Sequence, residues 1–245
     1  ESYPAGSVRA SVPARAADAL TAWSLAEDGA ISAVGGAWDA QQQTYTFDVV
    51  SGVTAIARFP FTDVPAGSWY YGAAAYAYNN GLFAGTSPTT FAPNAVMSRA
   101  MLVTVLWRLA GAPAPKGVNT FSDVPGGTWY TDAVTWAAEN GVVFGIGGGR
   151  FAPNSNVTRE QTAVILFNYA HSRGYDVGAR ADLSAFPDAG SVSGWAQDAL
   201  SWANAAGLIN GTLYGGRTIL DPQGSASRAQ VAMILRSYAE HVVNA

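Results

Sequence analysis

Phe151-Ala152-Pro153-Asn154, followed by Thr158-Arg159-Glu160-Gln161 and an apolar run, decides the reading of this chain because it recurs. The same pattern stands at Phe91-Ala92-Pro93-Asn94 with Ser98-Arg99-Ala100-Met101, and at Leu220-Asp221-Pro222-Gln223 with Ser227-Arg228-Ala229-Gln230. Each Ser or Thr occupies an expected helix N-cap, where its hydroxyl accepts from an orphan amide of the first turn. Gln161 and Gln230 complete a capping box three residues later, whereas Met101 does not. An Arg follows every cap. Positive charge in a first turn opposes the helix macrodipole, so the helix itself gives no reason for Arg99, Arg159 and Arg228. The repeated, mildly unfavourable choice points to a partner outside the helix, an anion first of all.

Outward from these caps the chain is a threefold repeat from Phe59 onward. Phe61-Thr62-Asp63-Val64-Pro65, Phe121-Ser122-Asp123-Val124-Pro125 and Phe186-Pro187-Asp188-Ala189 open the copies, and Trp69, Trp129 or Trp195 follows each opener. A first helix is expected from Trp69/Ala73/Tyr76/Ala77, Trp129/Ala133/Trp136/Ala137 and Trp195/Ala199/Trp202/Ala203, all at helical spacing. It ends at Gly81, Gly141 or Gly207, where glycine accepts the left-handed C-cap conformation. A second glycine, Gly85, Gly145 or Gly211, comes four residues later. The second helices carry the stripes Leu102/Val105/Leu106/Leu109, Thr162/Ile165/Leu166/Tyr169 and Val231/Ile234/Leu235/Tyr238. The cap arginines lie 60 and then 69 residues apart, the extra length falling near 173–185 and 211–220, in loops where a repeated unit tolerates insertion. Two short amphipathic helices cannot bury both faces unaided, so the three pairs are expected to share a core.

Residues 1–57 differ in texture. Leu20 to Leu25, Ala30 to Val34, the period-two run Tyr45 to Val50 and Val53 to Ala57 read as short antiparallel strands. A turn is expected at Glu27-Asp28-Gly29, a junction at Ser51-Gly52 and a helical turn near Ala14 to Ala19. So small a β segment without disulfides is marginal alone, and it reads as packed on the repeats or as the end of an upstream domain. The expected divisions are 1–57, 58–116, 117–181 and 182–245.

Composition narrows the function. Hydrophobic residues make up 49% and charged ones 12%, with a net charge of -4, which argues against disorder and against a nucleic-acid footprint. Lys116 is the sole lysine, so cationic recognition rests on arginine. Cysteine is absent, which removes disulfides, thiolate metal sites and cysteine nucleophiles. No apolar run reaches the roughly 18 residues of a membrane span. The start at Glu1, without Met or signal peptide, reads as a mature fragment or a piece cut from something longer. His171 and His241 read as helix C-terminal cations, not metal ligands, and Gly147-Gly148-Gly149 as a turn without the Gly-Lys-Ser/Thr of a phosphate loop. No Gly-x-Ser-x-Gly elbow occurs, and no cofactor is expected.

The openers, the Trp69-Tyr70 and Trp129-Tyr130 pairs, the Asn-Gly helix ends and the Ser/Thr-Arg caps together resemble S-layer homology repeats, over about Phe59 to His241. The resemblance implies a mainly α fold: a pseudo-trimeric, three-pronged spindle around a central helix bundle. It also implies a non-catalytic module that anchors an exported or S-layer protein to the bacterial envelope. The inter-repeat grooves would bind secondary cell wall polysaccharide, often pyruvylated. The family's usual Thr-Arg-Ala-Glu stands here as Ser-Arg-Ala-Met, Thr-Arg-Glu-Gln and Ser-Arg-Ala-Gln, so the terminal acid is missing in every copy. The third copy also has Asp188-Ala189-Gly190 for Asp-Val-Pro and Trp195-Ala196 for Trp-Tyr, which marks its groove as the one most open to change.

Under that resemblance the glycan-binding candidates are Arg99, Arg159, Arg228, Trp69, Trp129, Trp195, Gly85, Gly145, Gly211, Asp63, Asp123 and Asp188. A pyruvate ketal presents a carboxylate, which a guanidinium meets with two parallel donors, added to the free amides of a helix N-terminus. Each candidate has a structural rival: arginines paired with the aspartates or a neighbouring copy, tryptophans in the core, aspartates ahead of the first helix, glycines in turns. Three functions compete. They are a monomeric pseudo-trimeric wall-polysaccharide anchor, a subunit assembling with other S-layer subunits into a lattice, and a wall-glycan enzyme. The enzyme is disfavoured because the recurrent acids are alike, whereas a catalytic pair needs two unlike environments.

Overall fold

The computed structural model describes residues 8–13, 20–25, 31–33, 37–39, 41–42, 44–49, 53–65 and 67–243. The chain forms two compact units, Glu1–Ala92 and Pro93–Ala245. The described residues of the first include β1 (Val8–Pro13), β2 (Leu20–Leu25), β3 (Ile31–Ala33), β4 (Ala37–Asp39), β5 (Thr44–Val49) and β6 (Val53–Arg58). They make two antiparallel sheets, ordered β1-β5-β4 and β3-β2-β6. Period-two alternation in β5 sends Tyr45 and Phe47 into the core, while Thr46 on the other face meets the Ser11 hydroxyl at 2.8 Å. β1 and β4 were not evident from sequence. The helical turn expected near 14–19, the turn at 27–29 and the junction at 51–52 lie outside the described residues. Beyond β6, Phe61 packs edge-on against Tyr78 of α1 (Tyr71–Asn79) at a centroid distance of 4.9 Å, and at a tilt against Phe91 at 5.5 Å.

The second unit holds α2 (Arg99–Leu109), α3 (Thr131–Glu139), α4 (Arg159–Ser172), α5 (Gln197–Ala205), a hairpin of β7 (Thr212–Tyr214) and β8 (Arg217–Ile219), and α6 (Arg228–Tyr238). The chain is thus mainly helical with small antiparallel sheets. Ser98, Thr158 and Ser227 cap α2, α4 and α6 through their hydroxyls, and the capping box closes only at Gln161 and Gln230. Gly141 and Gly207 end α3 and α5 in the left-handed region, at φ of 69° and 70°. The expected stripes of the second helices are buried, except for the half-buried Leu109. Pairing, however, runs between copies: α2 packs on α3 and α4 on α5. One difference concerns the tryptophans, which precede the first helices instead of opening their buried stripes. Trp136 and Trp202 are the aromatics that those helices bury.

The residues just before the three caps close a circuit. Met97 N–H donates to Ala226 O at 2.9 Å, Ala226 N–H to Val157 O at 3.0 Å, and Val157 N–H to Met97 O at 2.9 Å. All three side chains are buried. Running in the opposite sense, the first amides of each second helix are filled by the next copy's loop. Arg99 and Ala100 donate to Ser155 and Pro153, Arg159 and Glu160 to Gly224 and Pro222, and Arg228 and Ala229 to Ala95 and Pro93.

Met97 is fully buried on this circuit, so Met97→Ala should destabilise the second unit by about 2–5 kcal/mol, as large-to-small core changes do. Urea unfolding followed by tryptophan fluorescence should show one shifted transition. Separate transitions for individual copies would contradict the coupling described above.

Candidate functional site

The Phe151 peptide is held from both ends. Its N–H and that of Ala152 donate to the two carboxylate oxygens of Asp123, each at 2.8 Å, and Ala152 is thereby kept at φ 61°. Its carbonyl accepts Arg99 Nε–H at 2.9 Å, and the guanidinium lies 4.8 Å from the Phe151 ring centroid. Arg99 Nη2 also donates to Phe144 O at 3.3 Å. The next copy repeats the clamp: Asp188 accepts from Leu220 and Asp221 at 2.8 and 2.7 Å, and Arg159 Nε donates to Leu220 O at 2.7 Å. In the first unit Asp63 accepts from Phe91 and Ala92 at 2.8 and 2.7 Å. The aspartates therefore hold the loop ahead of the second helix, while the arginines reach from the preceding copy.

The arginines are deeply placed; Arg99 is 6% exposed, and Arg159 and Arg228 are also buried. Burial pushes the Arg99 pKa down against the opposing pull of Asp123, and does the same to Arg159 against Asp221 and Asp188. Both remain charged at neutral pH. The sequence reading of free helix-start amides beside each Arg needs correction, because the neighbouring loop's carbonyls and the cap hydroxyls occupy them. Those amides therefore offer no anion pole. Glu160 is a further buried group here: its carboxylate accepts from Ser193 N–H and Oγ–H, each at 3.0 Å, and from Gln223 Nε2 at 3.3 Å, tying α4 to the start of the third copy.

The second glycines are required by packing. A Cβ at Gly145 would lie 2.7 Å from Arg150 O and 3.0 Å from the Phe121 ring. At Gly211 it would meet Thr218, Ile219 and Phe186, and at Gly85 it would meet Ser87, Phe61 and Thr90. No side chain larger than hydrogen fits without moving backbone.

A cleft of about 510 Å³ opens in the second unit, where three copies meet. Arg99 comes from the first, the Val142–Ile146 loop and the α4 residues Gln161, Val164, Ile165 and Asn168 from the second, and Trp195 from the third. Of the expected residues, this cleft gathers Arg99, Gly145 and Trp195, with Asp123 behind them on the Phe151 peptide. Trp129, Arg159, Arg228, Gly211 and Asp188 lie outside its lining. Trp195 is 60% exposed, and Trp129 is exposed as well. In the first unit Trp69 is likewise exposed, against the edge of Tyr70.

Sequence reasoning missed Phe144, Ile146, Gln161 and Asn168 as lining residues. The available signal was the apolar pair flanking Gly145, where the other copies carry Ala84 and Thr86 or Asn210 and Thr212. Among the described residues no group of His, Asp and Glu is placed to hold a metal, and no helix is long and apolar enough to cross a membrane. His171 lies in the last turn of α4, and His241 Nδ1 lies 3.2 Å from Ala206 O.

The S-layer homology domain family matches residues 60–100, 120–163 and 185–232. A surface-layer 125 kDa protein of Lysinibacillus sphaericus is 33% identical over 162 residues, covering 66% of this chain and 13% of that protein. An endoglucanase of Bacillus sp. (strain KSM-635) is 31% identical over 177 residues, covering 72% of this chain and 18% of that protein. The chain thus spans under a fifth of either relative's length. A solved undecaheme cytochrome from the S-layer of Carboxydothermus ferrireducens aligns over 74% of this chain and 23% of that one, at 18% identity and a TM-score of 0.39, too weak a likeness to bear on the fold.

Desolvation would raise the Asp123 pKa, but the amides of Phe151 and Ala152, its own amide and Arg150 together hold it below the ordinary 3.8. A depressed carboxylate contributes stability that is full above the unfolded pKa and is lost as pH falls through the folded one. Asp123→Asn should therefore cost on the order of 1 kcal/mol at pH 7, and the gap between variant and wild type should close below about pH 3.8 in urea titrations.

Proposed function

Because the chain belongs to the S-layer homology domain family, we propose that it binds a wall polysaccharide through the cleft formed by Arg99, the Val142–Ile146 loop and Trp195. At the coarser level it is a cell-surface, wall-associated anchoring module of a non-catalytic family. The endoglucanase name belongs to that relative, and we assign this chain no catalytic residue, metal or cofactor.

The observation that carries the proposal is the convergence of three copies on one cleft lined by an exposed tryptophan and a buried arginine. Trp195 offers a flat apolar face to a sugar ring. Arg99 has guanidinium donors beyond those given to Phe151 and Phe144, and these are the proposed contacts for a ketal carboxylate. Corresponding roles are proposed for Arg159 and Arg228, for Trp69 and Trp129, and for the loops at Gly85 and Gly211. Asp63, Asp123 and Asp188 act behind the grooves by fixing the loop peptides. The proposed architecture is a pseudo-trimeric spindle of repeats at 58–116, 117–181 and 182–245, a reading supported by the circuit through Met97, Val157 and Ala226.

Calorimetric titration with wall polysaccharide from the source bacterium, before and after mild acid removes ketal groups, tests the proposal. Trp195→Ala, an exposed truncation, and the loss of ketals should each weaken binding about tenfold or more. Equal binding with and without ketals would remove the carboxylate from the account. No binding to the intact polymer, together with concentration-dependent self-association, would replace anchoring by lattice assembly. Since Arg99 is the charged group lining the cleft and is buried, affinity should shift less than about threefold between roughly 50 and 500 mM salt.

A further inference from the structure

Phe144 is 68% exposed, although Val142 and Val143 in the same loop are buried. Ile146 and Trp195 are exposed beside the same cleft, so three large apolar side chains ring one opening. Clusters of this kind on a folded surface mark binding sites. The turn itself does not need the aromatic. Thr86 N–H donates to Thr90 O at 2.8 Å in the first copy, as Ile146 N–H does to Arg150 O in the second, although the first has Ala84 where the second has Phe144. In the third copy Asn210 stands there, again beside a glycine packed under the opener phenylalanine.

Relative to the third copy, the second receives an additional tie. Arg99 holds Phe144 O as well as Phe151 O, whereas Arg159 repeats only the bond to the Phe151 counterpart, Leu220, and makes none to Asn210 O among the described residues. The Phe144 segment is thus fixed at the rim by a cation from the preceding copy. Among the described residues no acidic side chain lines the cleft, while Arg99, Gln161 and Asn168 bring hydrogen-bond donors. Those donors suit a neutral or anionic sugar edge, and the aromatic rings suit the C–H face of a pyranose.

Resting on the glycan-binding reading above, we infer that Phe144 sets the ligand preference of this cleft. Its ring and that of Trp195 receive the apolar face of one pyranose unit, which makes this groove chemically unlike those whose loops carry Ala84 or Asn210. Phe144 is a contact residue in this account, and Arg99 positions it.

The test titrates wild type, Phe144→Asn and Phe144→Trp against the same wall polysaccharide, with urea midpoints measured in parallel. Phe144 is largely exposed, so its position has room for Asn; Phe144→Leu, which keeps apolar bulk but removes the flat face, serves if Asn shifts the midpoint. Phe144→Asn should weaken binding about tenfold or more, as expected for losing a large apolar contact, and Phe144→Trp should retain it. Wild-type affinity in Phe144→Asn overturns the role of Phe144 and leaves the anchoring reading standing. Loss of binding in Phe144→Trp at an unchanged midpoint overturns it too, since a flat face would then not suffice. A wild-type chain that ignores the polymer overturns the anchoring reading itself.

Discussion

The circuit of peptide hydrogen bonds through Met97, Val157 and Ala226 is the constraint from which the second unit follows. Each bond has a net worth of about 1 kcal/mol, but a buried donor left without its acceptor costs more than the bond contributes. No member of the circuit can therefore leave alone. Two residues later every second helix begins, and its first amides are already committed to the next copy's loop. The copies are linked in both senses around the circuit, which fixes where each cap arginine starts.

From those positions the arginines reach across copy boundaries, and this explains their place in a helix turn that disfavours positive charge. Arg99 and Arg159 neutralise the carbonyl side of a peptide whose N–H side is neutralised by Asp123 or Asp188. The charges act on each other across that one residue, and burial strengthens the interaction while lowering each guanidinium pKa. Ala152 and Asp221 hold left-handed conformations that cost free energy, and the aspartate clamp offsets that cost. The bonds from Arg99 that fix the loop also bring its guanidinium to the lining of the cleft.

The copies are alike in this frame and unlike in what they display on it. Met101 leaves α2 without the box that closes α4 and α6. Glu160 ties the second copy's helix to Ser193 and Gln223 of the third copy, where the other helices have Ala100 and Ala229. Phe144 and Ile146 expose apolar surface where the others carry small or polar side chains. A repeat built this way can keep one mode of assembly while the surfaces it displays diverge.

The sequence by itself determined the repeat, the caps, the glycine helix ends and the buried stripes, because each depends on residues within a few positions of one another. It also identified Arg99, Gly145 and Trp195 as residues of interest, through recurrence. It left open whether the tryptophans were core or surface, and it misjudged the helix-start amides as free. Those questions were decided by tertiary structure: Ser155 lies far along the chain from Arg99, yet its carbonyl fills the amide that the sequence leaves unpaired. The lining of the cleft was decided in the same way. Phe144 and Trp195 belong to different copies, and no local periodicity places them around one opening; the closed circuit of the copies does.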